Sequence, residues 1–172
     1  MRSDVAIAAA LLFSLLGGCV HSRVEKPAVE SIAADASELD FWQRLESGNY
    51  LSNHDALHGL FLIADGKDDH GSFAARLTAA RARGWLAADE ELAPDEAATV
   101  GMVSVATCEL LALDGGVTMR LGTPLFGRSP RYCTRELVAQ GLLPERTSGQ
   151  ALRGLEFLDL AGRIDDRRTG AH

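Results

Sequence analysis

The chain has no hydrophobic run long enough to cross a bilayer. Its longest run extends from Val5 to Leu16 and is broken only by Ser14, whereas a membrane-spanning helix needs about 20 mostly apolar residues. Arg2 precedes the run, and Gly17 and Gly18 follow it. A charged start, a short apolar core and a small-residue exit are the three parts of a secretory signal peptide.

Basic residues are also in short supply. The chain has 17 Lys and Arg against 24 Asp and Glu, which gives a net charge of −7. Non-specific nucleic-acid binding depends on the neutralisation of phosphates by basic side chains, so we expect no nucleic-acid partner. An acidic surface is equally unsuited to anionic lipid headgroups.

Catalytic and cofactor motifs are missing as well. The sequence has no P-loop, no dinucleotide-binding glycine fingerprint, and no Gly-x-Ser-x-Gly elbow around Ser104. His54 and His58 have the spacing of a zinc-binding helix, but Asp55 replaces the glutamate and a third ligand is lacking at the required spacing. We therefore expect no metal, no cofactor and no enzymatic activity; a metal-dependent enzyme at His54 and His58 is the alternative.

Sustained period-two alternation, the mark of half-buried strands, is absent. Apolar residues recur instead at helical spacing, and the sequence predicts an all-α domain of six helices over about 37–48, 52–65, 72–83, 94–114, 131–140 and 147–162. The predicted organisation is a signal peptide over 1–18, a flexible tether over 19–37, a helical domain over 38–165 and a frayed tail over 166–172.

Cysteine occurs only three times. The first stands in Leu16-Gly17-Gly18-Cys19, which resembles the lipobox of bacterial lipoproteins. The resemblance implies cleavage before Cys19 and attachment of acyl chains such as palmitate to it, so the lipid would be the membrane contact. Val20 follows in place of the aspartate that marks inner-membrane retention, which implies the outer membrane, facing the periplasm.

The other two cysteines are Cys108 and Cys133. In an oxidising compartment such a pair forms a disulfide if the geometry allows. The alternative is two buried thiols in separate helices, since free cysteine is among the most buried residue types. The sequence leaves both possibilities open.

An internal repeat is visible in the spacing of glycines. Ala56-Leu57-x-Gly59-Leu60 matches Ala151-Leu152-x-Gly154-Leu155, and Gly101 falls at the same place in the fourth predicted helix. A glycine inside a helix costs about 1 kcal/mol relative to alanine, so its recurrence predicts close approach of another backbone. Upstream of each copy, a glycine and one or two apolar residues end a shorter helix, which predicts three helix–loop–helix units.

The middle unit resembles an S-layer homology (SLH) repeat. The resemblance rests on the run 79–86 ending in Gly84-Trp85-Leu86, on Leu92-Ala93-Pro94-Asp95, and on Thr99 before an apolar helix. It implies a pseudo-threefold helical bundle that binds cell-wall polysaccharide. The family's Thr-Arg-Ala-Glu signature reads Thr99-Val100-Gly101-Met102 here.

The other two units depart from that signature differently. In the third unit Arg153 stands at the position of the signature arginine, and Glu156 lies one residue after the position of the signature glutamate. In the first unit His58 stands at the arginine position. Arg153 and Trp85 are therefore candidate glycan contacts, and the basic residues Arg128, Arg131 and Arg135 are further candidates. We expect a lipid-anchored, non-catalytic envelope protein that binds cell-wall polysaccharide or an envelope protein; the alternative is a structural adaptor that docks helix faces of a complex without binding glycan.

Overall fold

The computed structural model describes residues 22–32, 37–113 and 128–170. Within these ranges the fold is all-α, as predicted, with seven helices, no strand and three isolated β-bridges. The helices are α1 Ala28–Ser31, α2 Glu38–Glu46, α3 Asn53–Asp65, α4 Phe73–Ala82, α5 Val100–Leu110, α6 Pro130–Ala139 and α7 Gly154–Thr169.

Hydroxyl side chains begin four of the helices. Ser37, Ser52, Ser72 and Thr99 each accept a hydrogen bond from the backbone N–H three residues later, a cap that stabilises a helix by about 1 kcal/mol. At Ser37 the Asp40 carboxylate also accepts from the Ser37 N–H, at 2.8 Å, and completes a capping box. The three serines stand at the predicted starts of their helices, near residues 37, 52 and 72.

Two turns depend on glycine. Gly84, after α4, and Gly141, after α6, have φ angles of 71° and 70°, in the left-handed region that residues with a Cβ rarely adopt. The two apolar residues that follow each turn are buried: Trp85, Leu86, Leu142 and Leu143. The predicted turn of glycine and apolar residues is confirmed at these two places.

A closed ring of backbone hydrogen bonds joins the segments that lead into α3, α5 and α7. The Leu51 N–H donates to the Leu152 carbonyl at 2.9 Å. The Leu152 N–H donates to Ala98, and the Ala98 N–H donates to Leu51, both at 2.8 Å. Each residue is buried and lies two positions before its helix. A threefold relation among three units stays a prediction, and this ring is the feature that favours it.

The glycine register predicted for the repeat is wrong. Gly59 is the seventh residue of α3, Gly101 the second of α5 and Gly154 the first of α7. Close approaches nevertheless exist: a Cβ at Gly154 would overlap the Leu45 carbonyl, and one at Gly59 would lie 2.5 Å from Cε1 of Phe157. These glycines therefore serve separate contacts.

Two helices differ from their predicted bounds. Helix α5 begins at Val100 because the preceding residues pair with the start of α3; the Pro94 carbonyl accepts from the His54 N–H at 3.1 Å. Helix α7 begins at Gly154, later than the predicted start near Thr147, and continues past Gly162 to Thr169, so most of the predicted frayed tail is helical. An exposed glycine such as Gly162 costs a helix only about 1 kcal/mol. This cost is too small to end α7, because the helix gains more from the apolar residues that it buries.

Part of the predicted flexible tether is folded against the domain. The Val24 N–H donates to the Asp95 carbonyl at 2.7 Å, and the Asp55 carboxylate accepts from the Ala28 N–H at 3.0 Å. Asp55 is itself 2% exposed. Residues 22–32 are thus docked, because they supply backbone donors and acceptors to groups that the helices leave unpaired.

Candidate functional site

A groove of about 740 Å³ lies beside α2, the last turn of α3 and the second half of α7. This volume falls within the range of roughly 300–1,000 Å³ that is typical of small-molecule sites. Its main apolar lining residues are Trp42, Leu62, Ile63 and Leu158, and its polar ones are Glu38, Asp65, Asp165, Arg168 and Thr169. We name it the α2–α3–α7 groove.

Trp42 is held in the groove by two buried aromatic rings. Its ring stacks on Phe157 with centroids 6.1 Å apart and meets Phe41 edge-on at 5.0 Å. Phe41 and Phe157 are fully buried on the inner faces of α2 and α7. Gly59 of α3 faces both Phe157 and Trp42, and a Cβ there would lie 3.4 Å from Cη2 of Trp42. The missing side chain at Gly59 lets the rings sit against α3.

The groove has an excess of negative charge. Asp65 accepts two hydrogen bonds from the Arg83 guanidinium, at 3.2 and 2.6 Å. Arg168 donates to backbone carbonyls in the last turn of α3. Glu38 and Asp165 are exposed, and no side-chain hydrogen bond or ion pair joins either carboxylate to the part of the chain that the structure describes. Two carboxylates in the groove are therefore open to a ligand.

A second group of charged residues is buried between α3, α4 and the loop that joins them. The Asp68 side chain has no exposed surface and accepts from His58 Nδ1 at 2.6 Å, from His70 Nδ1 at 2.8 Å and from Arg76 Nε at 2.5 Å. Burial alone would raise the pKa of Asp68, but these hydrogen bonds outweigh it and hold the pKa at about 2. We name Asp68, His58, His70, Arg76 and His54 the buried charge cluster.

The protonation state of His54 follows from its neighbours. An Arg76 Nη1 donates to His54 Nε2 at 2.6 Å, so this nitrogen accepts, and Nδ1 donates to the Glu30 carboxylate at 3.1 Å. His54 is therefore neutral, and burial, together with the charge of Arg76, lowers its pKa. Arg76 itself is buried, at 6% exposed, although helical spacing alone would place it on the polar face of α4.

This arrangement bears on the metal alternative. His54 and His58 do lie on one face of α3, but His54 Nε2 is occupied by Arg76, whose positive charge opposes a cation there. Among the described residues, no group of three or more His, Cys, Asp or Glu side chains is arranged so that it could hold a metal ion. The cluster instead joins α1, α3, α4 and the α3–α4 loop through hydrogen bonds, which is a structural role.

The glycan contacts predicted from sequence lie outside the groove. Trp85 is 3% exposed and packs on Phe61 with centroids 4.9 Å apart, so its burial contradicts a ligand contact. Arg128 donates to the Glu109 carboxylate at 2.5 Å and to a backbone carbonyl. Arg153 is the N-cap of α7, and both it and the α6 arginines, Arg131 and Arg135, are exposed. A glycan role for these arginines stays a prediction.

Sequence reasoning missed the residues of the groove itself. Helical spacing places Trp42 with Phe41 and Leu45 on the apolar face of α2, and nothing in the sequence singles out Glu38 or Asp165. The available signal was Gly59, whose place inside a helix predicts a close approach; the approaching ring is Phe157, on which Trp42 stacks. The sequence does not reveal which chain segment meets that glycine.

Cys108 and Cys133 are buried free thiols that meet between α5 and α6. The Cys108 thiol donates to the backbone carbonyl of Cys133 at 4.0 Å. The interaction between the two side chains raises the pKa of Cys108, to which burial adds, and lowers the pKa of Cys133. The packing of α5 on α6 thus brings the pair together. A disulfide between them stays a prediction.

Cys19, which the sequence predicts to be lipidated, lies outside the described residues. In the ranges that the structure covers, no helix combines the length and the apolar character needed to cross a membrane. Comparison of the chain with protein-family models, with curated proteins and with solved structures gives no match.

Proposed function

We propose that this chain is a lipid-anchored, non-catalytic protein of the cell envelope, at the periplasmic face of the outer membrane, whose helical domain binds cell-wall polysaccharide in the α2–α3–α7 groove. The observation that carries the proposal is Trp42, an aromatic ring fixed by Phe41 and Phe157 in a groove of about 740 Å³. The envelope location rests on the lipobox-like Leu16-Gly17-Gly18-Cys19.

A glycan matches the mixed chemistry of this groove. A sugar ring has an apolar C–H face and a rim of hydroxyl groups. The face can pack on the Trp42 ring, whose large apolar area dominates contact energy. The hydroxyls can donate to the carboxylates of Glu38 and Asp165 or bond the Thr169 hydroxyl. Apolar and aromatic walls with a few polar groups are the usual composition of a ligand site.

The docking of residues 22–32 against the helices also supports a membrane-anchored domain. Ser22, whose carbonyl accepts from the Ala97 N–H at 2.8 Å, lies three residues after Cys19. An extended chain covers at most about 3.6 Å per residue, so acyl chains on Cys19 would lie within about 11 Å of Ser22. The domain would then sit close to the bilayer surface.

Co-sedimentation of the full chain, in detergent micelles, with purified cell-wall sacculi tests the proposal. We expect the protein to pellet with sacculi and Trp42→Leu, which keeps apolar volume but removes the aromatic face, to lose most of that binding. Tyr132→Leu is the matched control, because Tyr132 is an exposed aromatic residue outside the groove. Circular dichroism and thermal melting check that each variant folds.

Other outcomes would overturn parts of the proposal. Binding that survives Trp42→Leu but is lost with Arg153→Ala would move the site to the start of α7. Release of soluble sugar from the sacculi would contradict a non-catalytic role. A folded chain that does not pellet would contradict glycan binding altogether.

A structural adaptor remains the second candidate, favoured by two exposed leucines. Leu39 follows Glu38 on α2 and is 62% exposed, and Leu155, one turn before Leu158 on α7, is 52% exposed. Exposed apolar side chains beside a groove are typical of protein docking sites. Loss of sacculus binding in Trp42→Leu, with sacculus binding unchanged in Leu39→Glu/Leu155→Glu, would favour the glycan over the adaptor.

A further inference from the structure

The charges that line the α2–α3–α7 groove restrict the kind of glycan it accepts. Glu38 on α2 and Asp165 on α7 both line the groove and are open to a ligand in the described structure. Of the other two charged lining residues, Asp65 is paired with Arg83, and Arg168 donates to the carbonyls of Ile63 and Ala64 and keeps its positive charge. The charge left available in the groove is negative.

The backbone adds to this negative character. The lining includes the last turn of α3, from Leu62 to Asp65, and extends to Arg168 and Thr169 at the end of α7. Helix C-termini carry a partial negative charge and favour cations. Arg168 already takes this role at the end of α3, and the groove stays negative because its two open carboxylates outnumber that one arginine.

Trp42 supplies the third feature. A cation over the face of a tryptophan ring, within about 6 Å of its centroid, is attracted by the ring's electrons. One face of Trp42 is stacked against Phe157, and the ring also lines the groove. An aromatic wall together with two open carboxylates is suited to an ammonium group on an otherwise neutral, amphipathic ligand.

We infer that the groove selects polysaccharide with free amino groups, that is, glycan whose amino sugars have lost their N-acetyl groups. This inference rests on the proposed function and names its ligand chemistry. The ammonium group would pair with Glu38 and Asp165, and the sugar ring would pack on Trp42. An N-acetyl group carries no charge and could offer only an amide N–H to the same carboxylates.

Isothermal titration of the full chain, in micelles, compares glucosamine oligomers with N-acetylglucosamine oligomers of the same length, at mildly acidic pH. Two ion pairs with exposed carboxylates correspond to about ten-fold in affinity, so we expect glucosamine oligomers to bind about ten-fold more tightly than the acetylated oligomers. Glu38→Gln/Asp165→Asn should abolish the preference, because it removes both carboxylates with which the ammonium group would pair.

A matched control separates the groove from the overall charge of the protein. Glu46→Gln/Asp159→Asn removes the same two charges from the same helices, at exposed residues outside the groove lining, and should keep the preference. Equal affinity for the two oligomers, or a preference that both double variants lose alike, would overturn the inference.

The outcomes also distinguish this inference from the proposed function. Binding to sacculi with equal affinity for both oligomers would contradict only the ammonium preference. Absence of binding to sacculi and to both oligomers would contradict the proposed function itself. Tight binding of a trilysine peptide that Glu38→Gln/Asp165→Asn abolishes, with no oligomer binding, would replace the glycan by a basic peptide.

Discussion

The buried charge cluster and the α2–α3–α7 groove use the same side-chain chemistry in opposite ways. In the cluster, the Asp68 carboxylate is fully buried and accepts from two histidines and Arg76. In the groove, Glu38 and Asp165 are exposed and have no partner within the described chain. The first region uses its charges to hold the fold, and the second leaves them available for binding.

This difference has an energetic origin. A buried ion costs several kcal/mol in lost hydration unless hydrogen bonds and opposite charge replace the water, so Asp68 requires its partners. An exposed carboxylate is hydrated by water, so it needs no partner from the protein. Full pairing therefore indicates a structural role for the cluster, although its histidines carry the spacing of a zinc site. Removing a partner from the buried charge cluster should therefore lower the free energy of unfolding far more than removing the carboxylates of the groove.

The largest effect is expected for Asp68→Asn. The amide cannot neutralise Arg76, which would stay buried beside it, and loss of one partner of a buried ion pair destabilises by about 3–5 kcal/mol. Urea unfolding measures the loss in the free energy of unfolding. The control is Asp69→Asn, because Asp69 pairs with Lys67 at the surface, where such pairs contribute about 0–1 kcal/mol.

A loss below about 1 kcal/mol in Asp68→Asn, similar to that of Asp69→Asn, would contradict the structural role of the cluster. A normal fold that gains zinc affinity would contradict it as well, since the histidines would then be ligands held back by Asp68.

A smaller effect is expected from acid. Because the pKa of Asp68 is about 2 in the folded chain against 3.8 ordinarily, the unfolded chain binds more protons between these values. Stability from this carboxylate is present above pH 4 and lost as the pH falls towards 2, a difference of about 2 kcal/mol. The lowered pKa of His54 acts in the same direction and begins below pH 6.5.

Urea unfolding at a series of pH values measures this dependence. In Asp68→Asn the loss between pH 4 and pH 2 should shrink by about 2 kcal/mol, while Asp69→Asn should keep it. An identical acid profile in Asp68→Asn and the parent would show that Asp68 is not the group that titrates.

The helix starts and the fold class are predicted well where their signals are local in the sequence. Serine caps at Ser37, Ser52 and Ser72 are local signals, and they place three helix starts correctly. The all-α class follows from apolar periodicity. The start of α5 was predicted too early because its limit is tertiary: residues before Thr99 pair with the start of α3 instead of continuing the helix.

The partners inside each site depend on contacts between distant segments. Arg76 reads as a surface residue on α4, yet its guanidinium reaches His54, 22 residues earlier. Trp42 reads as core, yet it lines the groove because Gly59 and Phe157 fix its ring. Helical spacing assigns a residue to a face, but only the packing of α2, α3 and α7 decides whether that face is closed or open.

The smallest effect on stability is expected for Glu38→Gln/Asp165→Asn. Glu38 is the first residue of α2, where a negative charge favours the helix dipole, and Asp165 lies near the end of α7, where it opposes the dipole. Each interaction is worth about 0.3–1 kcal/mol, so the two substitutions should offset each other and leave the free energy of unfolding within about 0.5 kcal/mol of the parent. Urea unfolding of both single variants checks the signs: Glu38→Gln should lower stability slightly and Asp165→Asn should raise it. A loss in the double variant as large as that of Asp68→Asn would show that the groove carboxylates hold the fold too, and the contrast between the two regions would disappear.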